Sequence, residues 1–171
     1  MSDPTVYPHY VISLEEVSWG VLLVAITMSL HGIGMVATLR ASNFAKRRFD
    51  PSPSFLGGIA VLISASWIIT IVHLLEVVVW AAFFLWKDAM PNASTSYYFA
   101  LMDYTTLGSN YNLPLHWRLL EGMIGIAGLL TFAWSTGVLF TLAQDFQNQQ
   151  LTLLRERHEQ QQRHQRPPPL P

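Results

Sequence analysis

A chain of 171 residues with 12% charged side chains, a mean hydropathy of +0.29 and a formal net charge of -1 is too apolar for an ordinary soluble domain, where about 25% of residues are charged. The charges gather in a few places and leave long stretches bare, the pattern of a membrane protein whose first partner is lipid. The lack of cysteine excludes disulfides and thiolate metal sites, and no basic patch with interleaved aromatics points to nucleic acid.

Residues 1–16 hold Glu15 and Glu16 where a secretory leader would carry Lys or Arg, so the apolar run at 17–39 reads as a retained span rather than a signal peptide. His31 lies within it, followed by Gly32 and Gly34. A lone His on an apolar helix reads first as a packing residue, and the glycines as a point of close helix approach. Residues 40–56 carry Arg40, Lys46, Arg47 and Arg48 together with Pro51 and Pro53, a short basic connector facing headgroups.

The second run, GGIAVLISASWIITIVHLLEVVVWAAFFLW at 57–86, is long enough to span with tilt. His73 and Glu76, three apart, share a helix face. Two readings are open: they brace the following short helix by reaching Asp103 or a loop Thr, which makes gating pH-sensitive, or they form a His–Glu hydrogen bond that fixes helix packing. As a metal site the pair falls short of three or four ligands. A haem iron held by His31 and His73 requires both at one depth, facing each other.

Between the second and third runs only Lys87 and Arg118 are basic. Basic residues at 40–48 and after residue 144 therefore put 40–56 and the C-terminus in the cytoplasm, with the N-terminus and 87–118 outside. Trp19, Trp80, Trp86 and Trp117 fall near the outer ends of their spans, whereas Trp67 and Trp134 lie deeper and read as packing residues. Asn92-Ala93-Ser94 matches a glycosylation sequon, a weak signal. Pro91 stops any extension of the second span, and Ser94 or Ser96 is expected to cap a three-turn helix ending near Thr105, too short to cross a bilayer. The Thr-Thr-Leu-Gly-Ser-Asn that follows is either an outer loop resting on the membrane or the return of a re-entrant hairpin. In the second case an extended loop of carbonyls, with Thr hydroxyls and a Gly, replaces the water shell of a cation; the helix points its negative end at the path, and several subunits supply one loop each.

The third run, at 119–143, carries Gly122, Gly125, Gly128 and Gly137 among Thr131, Ser135, Thr136 and Thr141. Tight packing is one reading. The other is an inner helix with a hinge at Gly128 or Gly137 and Thr131 and Ser135 facing a cavity. Residues 144–171 begin with helix-forming composition and end in a Gln- and Pro-rich tail of polyproline II character.

A span, then YFALMDYTTLG, then WRLL, then a Gly-rich span reaching Trp134-Ser135-Thr136, resembles the pore-loop potassium channel superfamily over residues 57–145. HLLEVVVWA in the second span is similar to small bacterial channel-like members with one extra N-terminal helix. The resemblance implies an all-α integral membrane protein of three transmembrane helices plus a re-entrant pore helix and filter loop at 94–111, a homotetramer around a central pore in a bacterial inner membrane. The pore domain is 57–143, with the second and third spans as outer and inner helices. Potassium or another monovalent cation is then the permeant ion, held at Thr106, Leu107 and Gly108 within a filter of Thr105, Thr106, Leu107, Gly108, Ser109 and Asn110. His73, Glu76, Asp103 and Tyr111 are the supporting residues. The family's filter is Thr-Val-Gly-Tyr-Gly-Asp, or Leu at its second place. Here Ser109, Asn110 and Tyr111 replace the last three residues, and the bracing Tyr is lost unless Tyr111 or Tyr104 serves instead. Asn110 is expected to take the positive φ of the second Gly. The outer mouth should be wider and the preference for K⁺ over Na⁺ weaker. No enzyme activity and no resident cofactor are expected. The competing readings are a non-conducting structural or assembly protein with the same architecture, and a haem- or quinone-binding membrane protein.

Overall fold

The computed structural model describes residues 10–49 and 54–165. The N-terminal nine residues, the prolines of the basic connector and the Pro-rich end of the tail lie outside the described residues. Among the described residues four α-helices follow in order: α1 (Leu14–Phe49), α2 (Phe55–Trp86), α3 (Ala93–Tyr104) and α4 (Leu119–Gln165), with a 3-10 turn at Leu115–Trp117 leading into α4. No strand occurs among the described residues. α1, α2 and α4 are each long and apolar enough to cross a membrane, as the three hydropathic runs predict. The helices outlast the apolar runs. α1 continues through Arg40 and Lys46–Arg48 to Phe49, so most of the expected connector is helical, and its basic last turn complements the helix dipole. α4 likewise continues through the Gln-rich stretch.

The helix ends follow local chemistry. The Ser13 hydroxyl accepts the Glu16 N–H at 3.1 Å and starts α1. α3 begins earlier than expected: Asn92, not Ser94 or Ser96, is its cap, accepting the Thr95 N–H at 2.9 Å through Oδ1. α2 and α3 end alike. In α2, Asp88 takes φ 51° while its N–H reaches Leu85 O (3.1 Å) and the Ala89 N–H reaches Phe84 O (2.9 Å). In α3, Thr106 takes φ 61° while its N–H reaches Asp103 O (3.0 Å) and the Leu107 N–H reaches Met102 O (2.9 Å). Both are Schellman closures, which tie the last carbonyls of a helix to the turn that follows it.

The chain divides into two compact units. The first comprises residues up to Gly34 together with Thr70–Trp134. Its apolar core is built from Trp80, Phe83, Phe84, Phe99, Trp117, Leu120 and Ile124, all buried. In lipid, apolar contact separates folded from dispersed helices only weakly, so polar ties between helices count for more than they would in water. Several are present. Trp80 Nε1 donates to Thr27 Oγ1 (3.0 Å), and the Ser96 hydroxyl donates to Ala81 O (2.6 Å). Buried Glu16 accepts the first N–H of α4, at Leu119, through Oε1 (2.6 Å), and the Tyr10 hydroxyl at both oxygens (3.0 and 2.9 Å). Trp19, Trp86 and Trp117 gather around the Lys87 ammonium at 4.7, 4.7 and 5.5 Å, with Glu15 at 3.8 Å. Three of the four tryptophans expected near the outer ends thus form one cluster, and the fourth, Trp80, is fully buried.

The second unit comprises Met35–Ile69 and Ser135–Pro171. Met35, Ala65, Ile69, Val138 and Leu142 are buried in it, the Ser135 hydroxyl lies 3.9 Å from Met35 Sδ, and Phe146 packs on Phe55 with centroids 5.7 Å apart. Trp67, read as a packing residue, is instead 66% exposed.

Candidate functional site

The residues with the strongest chemistry converge on the end of α3. Glu76 on α2 is fully buried, as are His31 on α1, Tyr104 on α3 and Thr131 on α4, and His73 is nearly so. His31 Nδ1 lies 2.9 Å from Glu76 Oε1. The Tyr104 hydroxyl donates to Glu76 Oε2, lies 2.9 Å from His73 Nδ1 and lies 2.5 Å from Thr131 Oγ1. With protons assigned to both Nδ1 atoms, His31 donates to one carboxylate oxygen, Tyr104 to the other and His73 to the phenol oxygen, while Thr131, whose hydroxyl donates back to the Ala127 and Gly128 carbonyls (3.0 and 2.9 Å), sets its oxygen beside the phenol. No buried side-chain polar atom lacks a partner among the described residues. A polar group in an apolar interior is tolerable only when so satisfied.

This knot joins all four helices. His73 and Glu76 meet α3 at the Tyr104 hydroxyl and not at Asp103 or a loop Thr. Asp103 is half-buried and stands apart from the knot, in the field of Glu121. Tyr104 sits deep along its neighbours. Its partner Glu76 lies ten residues before the end of α2 at Trp86, and Thr131 lies twelve residues after the start of α4 at Leu119.

The α4 glycines have separate roles. A Cβ at Gly128 would collide with the Tyr104 carbonyl, and one at Gly125 would sit 3.5 Å from the Asp103 carbonyl oxygen. Gly125 and Gly128 therefore form the slot that seats the end of α3. Gly122 and Gly137 face open space. Gly128, expected as a hinge, is a close-approach residue. Thr131 and Ser135, expected to face a cavity, are instead buried within the chain.

The stretch expected to act as a filter is exposed from Thr106 to Gly108, with Leu107 at 74%, and again at Asn110. It departs from an extended string of carbonyls. Thr105, with φ -85° and ψ 2°, and Thr106 form the closing turn of α3, and the Thr105 hydroxyl donates back to Leu101 O (2.9 Å) and Met102 O (3.1 Å). The Met102 carbonyl also receives the Gly108 N–H at 3.2 Å, so much of the negative end of α3 is already hydrogen-bonded. Asn110 does not take the expected positive φ; Gly108 (74°) and Thr106 (61°) do. A β-branched residue in the left-handed region is strained by about 1–2 kcal/mol. Thr106→Gly is expected to raise unfolding stability by about 1 kcal/mol, read as a higher melting temperature in detergent, and a lowered melting temperature would contradict that strain.

Beyond the turn, the Ser109 hydroxyl donates to Tyr111 O (3.1 Å) and accepts the Tyr111 N–H (3.2 Å). The Tyr111 ring meets Tyr98 of α3 edge-on at 6.2 Å, in an open groove of about 450 Å³ lined by Ser94, Thr95, Tyr98, Asn110 and Tyr111. Tyr111, named with Tyr104 as a substitute for the lost Tyr, thus touches α3 at Tyr98. His31 and His73 do lie side by side, but their ring centroids are 5.2 Å apart and both Nδ1 atoms face oxygen partners. That spacing leaves no slot for a flat macrocycle between them. Comparison with models of known families, with curated proteins and with solved structures finds no match to this chain.

Proposed function

We propose that the chain is the subunit of a pore-loop cation channel, in which α3 is a re-entrant helix and Thr106–Asn110 form the constriction of a homotetramer. The observation that carries this reading is the depth of the Tyr104 anchor. At 1.5 Å per residue, ten residues of α2 place Glu76 roughly 15 Å below the end of the helix, about half of a 30 Å hydrocarbon core. A short helix pinned there must turn back, and polar backbone at that depth needs protein or water around it. The exposed Thr106, Leu107 and Gly108 supply such backbone, and other subunits would surround it. On α4, Gly122, Ile126, Leu129 and Ala133 share one exposed face and would line the axis or meet the neighbouring subunit.

Thr105 and Thr106 take the conformation of the closing turn of α3, so the carbonyls here do not run on in one extended string as they do in the family's filter. The channel therefore passes monovalent cations with little preference for K⁺ over Na⁺. The N-terminus faces the outside and the C-terminus the cytoplasm of a bacterial inner membrane, following the basic residues at 40–48. Purified protein in liposomes under a K⁺ gradient tests this. Cation flux above that of empty vesicles, with a reversal potential nearly unchanged when Na⁺ replaces K⁺, is expected. Silent vesicles that contain correctly folded tetramer would instead support the structural or assembly reading.

A further inference from the structure

We propose that His31, His73 and Glu76, with Tyr104 at their edge, form a binding site for one divalent transition-metal ion of the zinc class. One ligand atom from each of the first three residues lies within 4.8 Å of the others, and all three residues are buried. The pair distances from Glu76 are 2.9 Å to His31 Nδ1 and 3.5 Å to His73 Nδ1. Two ligands each about 2.1 Å from a tetrahedral ion stand about 3.4 Å apart, so the two pairs with Glu76, at Oε1 and Oε2, need shifts of a few tenths of an ångström, and a pair at the 4.8 Å limit would have to close by about 1.4 Å to admit the ion. Two imidazoles and a carboxylate suit zinc, copper or nickel, whereas potassium, calcium and magnesium prefer oxygen alone.

Electrostatics favours the same occupant. A carboxylate with no exposed surface among apolar helices is costly unless a positive charge meets it. A divalent ion with the Glu76 carboxylate and the Tyr104 phenolate forms an electrically neutral group. On binding, each imidazole carries its proton on Nε2 and offers Nδ1, and the phenol proton is released to solvent. The ring orientations are already held: Trp134 packs on His31 at 5.5 Å and Phe132 on His73 at 4.5 Å, while Thr131 steadies the Tyr104 oxygen. The site draws one ligand from α1, two from α2 and the phenolate from α3, so the ion would fasten the N-terminal helix to the rest of this unit. It does not depend on the pore reading.

The test uses the purified full chain in detergent, stripped with EDTA and titrated with CoCl₂. Tetrahedral d–d bands in visible light that saturate at one ion per chain and vanish when ZnCl₂ is added are expected. The variant with both His31→Gln and His73→Gln should bind Co²⁺ at least about tenfold more weakly. Replacing the remaining histidines, His9, His116, His158 and His164, by Gln should leave the bands unchanged. Absence of the bands in the wild-type protein overturns the proposal. So does their loss in the variant lacking those four histidines, a result that decides the matter even if the double variant does not fold.

Discussion

Replacing Glu76 by Leu is expected to destabilise the protein by about 3 kcal/mol or more, because it strands several buried donors at once. His31 loses its acceptor, Tyr104 loses its principal one, and His73 and Thr131 remain tied to a phenol that no longer has an anion. At roughly 2–4 °C per kcal/mol for a chain of this size, the melting temperature in detergent should fall by about 6–12 °C. Glu76→Gln keeps the shape and one carbonyl acceptor, so its loss should be about half as large. A Glu76→Leu protein that melts with the wild type would show that the knot does not hold α3. If α3 is the pore helix, cation flux should fail in Glu76→Leu before the fold does, since the loop is positioned by the last turn of α3.

The second large effect is expected from Gly128→Ala. The added methyl meets the Tyr104 carbonyl, a backbone atom that cannot rotate away, so α3 must lift off α4. Such overpacking costs about 1–3 kcal/mol and occasionally more. The same change at Gly137 meets nothing within 4 Å and should be neutral or stabilising by up to about 1 kcal/mol, since alanine favours the helix. Thermal melts and liposome flux on the two variants separate a seat from a hinge. If Gly137→Ala abolishes flux while Gly128→Ala is tolerated, Gly128 is not a seat and the swivel lies lower in α4.

The three long helices were legible because each is an unbroken apolar run, and that pattern needs no knowledge of neighbours. The short helix between them was legible for a similar reason: Pro91 and Asn92 precede it and Gly108 follows. What helical spacing could show was limited to residues on one helix. It paired His73 with Glu76, but the decisive partners, His31, Tyr104 and Thr131, lie 45, 28 and 27 residues from Glu76 or Tyr104 along the chain. No periodicity links positions so far apart. Gly128 gave a related difficulty, since a glycine that admits a neighbouring backbone and one that permits bending look identical in sequence. Thr106 was misread because backbone preference points to Asn110 as the residue for positive φ, and the closure of α3 imposes it on a β-branched residue instead.

The two basic side chains between α2 and α4 have a consequence for how the protein meets lipid. Lys87 is wrapped by three indoles and Glu15, and Arg118 Nε lies 3.3 Å from Glu121 with Asn112 Oδ1 at 3.2 Å from its terminal nitrogen. Their positive charge is answered inside the fold, so anionic phospholipids find little to grip on that stretch. In a bilayer, electrostatic adhesion would then fall mainly to the basic side chains at 40–48 and after residue 144, and the polarity of the molecule with respect to lipid charge would be sharper than a tally of its basic residues suggests.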